Sequence, residues 1–219
     1  MATYYKYLSI GKVGSQRREW TEKILQEQRI YMSPYYDFND PMEAFYEASN
    51  LTKRKIEEIR LEKRKLRICC LSKCYTNVLM WAHYADSHKG ICLEVEVDSP
   101  KIIHRDVLYT SQLEQPTGNT DFEKCIDIMS HKFKPWQYEQ EARFFKELPP
   151  SSKDSDQLFL NVKIKRIYLG YKLSASEEDE YRRFINVARR GLPHIAINKI
   201  KLEELTWWKN KSNPQIPIL

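Results

Sequence analysis

Ile91-Cys92-Leu93-Glu94-Val95-Glu96-Val97 alternates large apolar residues with smaller or charged ones. A period of two puts Ile91, Leu93, Val95 and Val97 on one face, as expected of a strand with one side in a core. Further strands are expected at Tyr4–Ile10, Ile30–Met32, Arg67–Ser72, Tyr138–Lys146, Leu158–Leu169 and His194–Leu205. Between them, helical spacing marks Gln16–Gln28, Met42 to about Leu66, Asn77–Ala85 and Phe122–Lys132. One more helix opens at Ser174 or Ser176, followed by Glu177 and Asp179, and closes at Gly191. Strands and helices are thus interspersed, yet no Gly-rich phosphate loop follows any strand and the chain holds only 6 glycines. A dinucleotide-binding parallel sheet and a P-loop are disfavoured. The expectation is an α+β protein with mixed or antiparallel sheets flanked by helices.

With 219 residues, 42% of them hydrophobic, the chain can bury a sizeable core, and no linker or internal repeat divides it. A single domain over 1–219 is expected. Lys plus Arg exceed Asp plus Glu by 36 − 30 = 6, which permits a polyanionic partner without requiring one. The charged run Lys53–Lys65, with Ile56 and Ile59 as its apolar stripe, reads as a solvated helix. Five cysteines, an odd number lying mostly in apolar runs, read as reduced thiols of a cytoplasmic protein. Cys70 and Cys74 lack the spacing of a zinc pair, so no metal is expected. No apolar run approaches the roughly 20 residues of a membrane span, and no membrane association is expected. A loop over Pro149–Asp156 and a tail bearing Trp207 and Trp208 complete the chain.

Three motifs set ionisable groups among aromatics and turn formers, a composition costly to bury in an ordinary core and typical of a lined cleft. In Tyr138-Glu139-Gln140-Glu141-Ala142-Arg143, a strand would project Glu139, Glu141 and Arg143 from one face. Two carboxylates on one face repel, which favours keeping one protonated or pairing one with a cation, and Arg143 is placed to orient one. The plain alternative is a surface strand with an ordinary ion pair. Trp81-Ala82-His83-Tyr84 running on to His88-Lys89-Gly90 carries two histidines, about 140° apart on one helix. They cannot share a metal from it. If Asp86–Gly90 unwinds, His88 and Lys89 are free to line a cleft; otherwise Trp81 and His83 are core packing. Phe38-Asn39-Asp40-Pro41 is a turn, read either as a helix entry capped by Asp40 or as a holder of a ligand hydroxyl or phosphate. If the three motifs form one site, Asn39 or Asp40, His83 or His88, and Glu141 converge.

These motifs, with Tyr5-Lys6-Tyr7 and Ile30-Tyr31, resemble the bacterial domain of unknown function 2971 family from about Tyr4 to Gly170. More distantly, the layout is similar to that of mono-ADP-ribosyltransferases: an early strand with an aromatic and polar triplet, a second strand after a helix, and a late strand bearing Glu-x-Glu. That resemblance implies NAD as substrate and Glu141 as the catalytic glutamate at the nicotinamide-side ribose. It implies that Glu139 selects the acceptor and that Lys6 or Tyr7 contacts NAD, with a nicotinamide-holding tyrosine among Tyr31, Tyr35 and Tyr36. Asn39, Asp40, His83, Tyr84 and His88 are the remaining candidates for NAD binding. The chain has no His-Gly pair on its first strand and no Ser-Thr-Ser motif.

The function expected is an ADP-ribosyltransferase-like enzyme modifying RNA, DNA or protein, in the setting of a toxin or antiviral defence effector with an antitoxin or other regulatory partner. A non-catalytic nucleic-acid-binding module is the first alternative, and a nuclease or other hydrolase using His83, His88 and the carboxylates is the second.

Overall fold

The computed structural model describes residues 2–100, 102–148 and 158–206. The expected loop at Pro149–Asp156 falls outside these residues, and Trp207 and Trp208 lie outside them as well. The fold is α+β with mostly antiparallel strand pairing and flanking helices. By packing, the chain resolves into two compact units, each assembled from separate stretches of sequence.

The first unit gathers Gln28–Lys73 and Glu96–Lys163. The second gathers Thr3–Glu27, Cys74–Val95 and, among the described residues, 164–206. In chain order the strands are β1 (Thr3–Leu8), β2 (Arg29–Tyr31), β3 (Leu66–Ser72), β4 (Ile91–Val97), β5 (Ile103–Asp106), β6 (Leu108–Thr110), β7 (His131–Phe133), β8 (Glu141–Glu147), β9 (Phe159–Leu169) and β10 (Ala196–Lys199). The helices are α1 (Gln16–Glu27), α2 (Lys53–Lys63), α3 (Val78–Tyr84), α4 (Asp121–Ile128) and α5 (Ala175–Ala188).

In the first unit β8 is sandwiched between two antiparallel neighbours. Ser72 of β3 faces Glu141 and Cys70 faces Arg143, while on the other edge β5 sets Arg105 opposite Arg143. β6 and β7 form a separate parallel pair that aligns Tyr109 with Lys132. Helices α2 and α4 cover a core of Ile59, Leu66, Ile68, Cys125, Ile128, Met129 and Phe145. In the second unit the strand order is β10-β9-β4-β1, with β10 parallel to β9. There α1 lies against α5, joined by the Arg18–Glu180 ion pair at 2.8 Å and by Arg18 over the Phe184 ring.

The alternating stretch at Ile91–Val97 is a strand over the expected residues. Ser174 is the N-cap of α5, in a capping box with Glu177. Several expectations need correction. The helix expected from Met42 covers only Lys53–Lys63, because Thr52 caps it by accepting from the Lys55 amide. Upstream, Asp40 Oδ1 accepts from the Met42 amide at 2.9 Å and Ala44 adopts φ 66°, so Asp40-Pro41 opens a turn and not a helix. The charged α2 is not wholly solvated either: Lys63 is buried, donates to the Ala44 carbonyl at 2.9 Å and lies over the rings of Tyr35 and Tyr46.

The strand expected from Tyr138 begins only at Glu141. Pro135 starts a 3-10 turn over Lys134–Glu139, and Gln140 at φ 47° breaks the period of two. Helix α4 stops at Ile128, and His131–Phe133 form β7. Of His194–Leu205 only Ala196–Lys199 is strand, followed by a 3-10 turn at Leu202–Glu204.

Candidate functional site

The first unit holds a buried charged cluster built around Arg143, whose side chain is fully buried. Its guanidinium commits all five N–H donors. Nε donates to Glu141 Oε1 and Nη2 to Glu141 Oε2, both at 3.0 Å, a two-pronged pairing. Nη1 donates to Glu43 Oε1 at 2.6 Å and to the Met129 carbonyl at 2.7 Å, and Nη2 also reaches Glu43 Oε2 at 3.2 Å. The Phe38 ring sits 5.4 Å from the guanidinium carbon. Burying such a group is costly, and this saturation offsets the cost.

A second cation stands beside the first. Lys132 Nζ, on β7, donates to Glu139 Oε2 at 2.6 Å, lies 3.6 Å from Glu141 Oε2, and sits 4.7 Å from the Trp136 ring centre. The backbone fixes the carboxylates in turn. Ser72 Oγ donates to the Glu139 carbonyl, the Glu141 amide donates to the Tyr109 hydroxyl at 2.8 Å, and the Val107 amide donates to the Glu141 carbonyl. Glu139 and Glu141 therefore meet the same lysine although Glu139 stands outside the strand. The expected shared strand face is replaced by a turn and a strand end that aim at one point.

Electrostatics follow from this geometry. Burial alone pushes the Glu141 carboxyl up, but Arg143 and Lys132 pull it down by more, to about 2. Lys132 shows the same balance in mirror image: burial lowers it, and Glu141 and Glu139 raise it further. Burial, joined by the charges of Glu141 and Glu139, keeps the Tyr109 phenol protonated. Three carboxylates, Glu43, Glu139 and Glu141, face two cations, Lys132 and Arg143, so the formal charge of the cluster is 2 − 3 = −1.

Because the folded-state value of Glu141 lies below its ordinary 4.5, its stabilising contribution is present above that pH and is lost as pH falls toward about 2. The expected loss is on the order of 3 kcal/mol, since each tenfold change in proton affinity is worth about 1.4 kcal/mol. Urea unfolding at a series of pH values checks it. The acid-induced loss should be smaller in Glu141→Gln.

The other candidates sit elsewhere or play quieter parts. Phe38 and Glu43 bring the Phe38–Pro41 segment to Arg143, while Asp40 spends Oδ1 on its own turn and Asn39 is exposed. Tyr31 on β2 is 45% exposed and packs edge-on against Phe159. Lys6, Tyr7, His83, Tyr84 and His88 belong to the second unit. Lys6 is half-buried on β1. Tyr7 is core: its hydroxyl donates to the Cys74 carbonyl at 2.8 Å and its ring meets Trp81 edge-on. His83 is an exposed residue of α3, its ring turned edge-on to Tyr84, so the expectation that it packs in the core does not hold. Residues Asp86–Gly90 do leave the helix, but His88 turns inward and is buried instead of lining a cleft.

Sequence reasoning missed Lys132, Glu43, Tyr109 and Cys70, whose thiol hydrogen-bonds Glu141. The only sequence signal was the surplus of carboxylates in the Glu-x-Glu-x-Arg motif, which called for a second cation. Among the described residues no group of three or more His, Cys, Asp or Glu side chains is placed to hold a metal ion, and no helix is long and apolar enough to cross a membrane. No protein-family model, curated protein or solved structure matches the chain.

Proposed function

We propose that this chain is an ADP-ribosyltransferase-like enzyme that cleaves NAD at Glu141 and passes ADP-ribose to a macromolecule. The observation that carries the reading is the formal −1 charge of the buried cluster, held around an ionised Glu141. When nicotinamide leaves with the bonding electron pair, the ribose becomes an oxocarbenium-like cation. A fixed carboxylate in a water-poor surrounding stabilises that charge, and it has little reorganising to do because Arg143 and Lys132 already orient it.

The arrangement suits such a role in two further ways. Arg143 uses one side of the Glu141 carboxylate, and each carboxylate oxygen has two lone pairs, so hydrogen bonding to a ribose hydroxyl is chemically open to it. Half-buried Tyr138, with Trp136 and Tyr109, supplies aromatic surface beside it. In this reading Glu139 orients the acceptor and Lys132 sets its position. The likeness to the domain of unknown function 2971 family, the cytoplasmic setting and the toxin or defence role with a regulatory partner belong to the same proposal.

Incubating the protein with NAD labelled in its adenylate moiety and a cell lysate tests it. Label is expected in one of RNA, DNA or protein, and no incorporation into any of them counts against it. A second reading, a non-catalytic nucleic-acid-binding module, is favoured by one feature of the second unit. Tyr75 and Tyr168 stack at 4.3 Å, Tyr5 lies 5.2 Å from Tyr75, and Arg166 reaches over Tyr168. Tyrosine rings and arginine side chains of this kind stack with unpaired bases; here exposed Arg166 and half-buried Tyr5 and Tyr75 are the accessible members, Tyr168 being buried. Salt-dependent retention of a single-stranded oligonucleotide, lost in Arg166→Ala, would favour that reading.

A further inference from the structure

The turn after α3 holds three successive non-glycine residues in the left-handed region: Asp86 at φ 49°, Ser87 at 52° and His88 at 73°. Single L-residues visit this region at a cost, and runs of them are uncommon. The turn is held shut by its surroundings. His88 N donates to the Trp81 carbonyl at 3.1 Å, Gly90 N to the Ala85 carbonyl at 2.6 Å, and Lys172 N to the His88 carbonyl at 3.3 Å. Lys89 pairs with Glu177 of α5 at 2.9 Å.

Inside this strained turn the His88 side chain is buried, its ring edge-on to Tyr171 at 5.1 Å. Its Nδ1 is buried with no hydrogen-bond partner. That nitrogen fixes the protonation state. A lone pair is tolerable there, whereas an N–H would be an unsatisfied buried donor, so the closed turn requires a neutral ring with its proton on Nε2.

We propose that the Asp86–Gly90 turn is an acid-released latch: neutral His88 seats it, and uptake of a proton from solvent at Nδ1 drives the ring out and lets the strained backbone open. The groups facing it fit this sense. Lys172, beyond β9, is a cation next to the ring and opposes a second positive charge, while the Tyr171 ring stands edge-on to it. On the turn itself Asp86 lies by Tyr181 of α5 and Lys89 is engaged by Glu177. Burial, then Lys172, hold the His88 imidazole below its ordinary range. For a base with a lowered folded-state value, closure is complete above the ordinary value of about 6.5 and weakens as pH falls below it. The latch is independent of the reading of Glu141.

Amide hydrogen exchange followed by NMR from about pH 7.5 to about pH 5 tests it, spanning the range in which histidine titrates. After correction for the intrinsic pH dependence of exchange, protection of the Lys89 and Gly90 amides should fall by about tenfold per pH unit below about 6.5, until the folded-state value is reached. His88→Asn keeps a side chain that tolerates left-handed φ and does not titrate, so its protection should be flat with pH. In Lys172→Gln, His88 should titrate at higher pH and the total acid loss should shrink. Protection that does not change with pH in the unsubstituted protein, a His88 ring titrating at or above about 6.5, or the same acid loss in His88→Asn would each overturn the latch.

Discussion

Arg143→Met is expected to cost about 3–5 kcal/mol, the usual penalty for removing one partner of a buried ion pair. That is a large part of the roughly 5–15 kcal/mol by which domains of ordinary size are stable. Methionine roughly fills the volume but cannot donate, so Glu141 and Glu43 are left buried and facing each other without the guanidinium that satisfied both. Lys132 compensates only in part, since it lies 3.6 Å from Glu141 and already serves Glu139. The pH dependence should invert as well. Without Arg143 the Glu141 carboxyl is expected to lie above its ordinary value, so the variant recovers stability as pH falls from that raised value to the ordinary one, while the unsubstituted protein loses stability only below the ordinary one. Urea unfolding of both proteins at neutral and acid pH checks the two claims together. Curves that shift in parallel with pH would mean that the cluster is not charged as described.

Glu141→Gln is a milder change, because Arg143 keeps Glu43 and the glutamine carbonyl still accepts. The change is still costly for a side chain only 5% exposed. About 3 kcal/mol is the expected cost, near the lower end for a broken buried pair.

Gly170→Ala is the second large effect. A Cβ at Gly170 would lie 2.0 Å from the His88 carbonyl oxygen and 2.6 Å from its carbon. Both are backbone atoms, and a methyl group has no rotamer that avoids them. The chain there is tied down by Gly170 N donating to the Gly90 carbonyl at 2.9 Å, so the clash can be relieved only by moving backbone. About 3 kcal/mol is expected, the upper end for overpacking. Gly14→Ala serves as the control. Gly14 has a positive φ of 77° but open space around its missing side chain, so about 1 kcal/mol of backbone strain is the whole expected cost. Equal stability of Gly170→Ala and the unsubstituted protein, by thermal and urea unfolding, would contradict the close packing of these two turns.

The fold class could be read from the sequence because its signals are local. Ile91–Val97 alternates with a period of two, and Ser174 with Glu177 makes a capping box; both are written in neighbouring residues. The strands β5 and β6 could not be read, being 4 and 3 residues long with polar sequence such as His104-Arg105-Asp106. Their place is set by partners far along the chain, Arg143 for Arg105 and Lys132 for Tyr109. The same limit applies to the site. Glu141 and Arg143 were visible as a motif, but Glu43 lies 100 residues from Arg143 and carries no local mark of its role. Lys132 looked like the end of a helix. Left-handed Gln140, which aims Glu139 and Glu141 at one lysine, is a backbone fact that side-chain spacing does not reveal.

If Glu141 is the carboxylate at which NAD is cleaved, the purified protein releases free nicotinamide from NAD, and that release is the measurement to make. The unsubstituted protein should release nicotinamide at a measurable rate, and Glu141→Gln, assayed where circular dichroism shows it folded, should be slower by about 10² to 10³, the loss expected when one preorganised electrostatic contact is removed. No release by the unsubstituted protein, or an undiminished rate in folded Glu141→Gln, would contradict the claim.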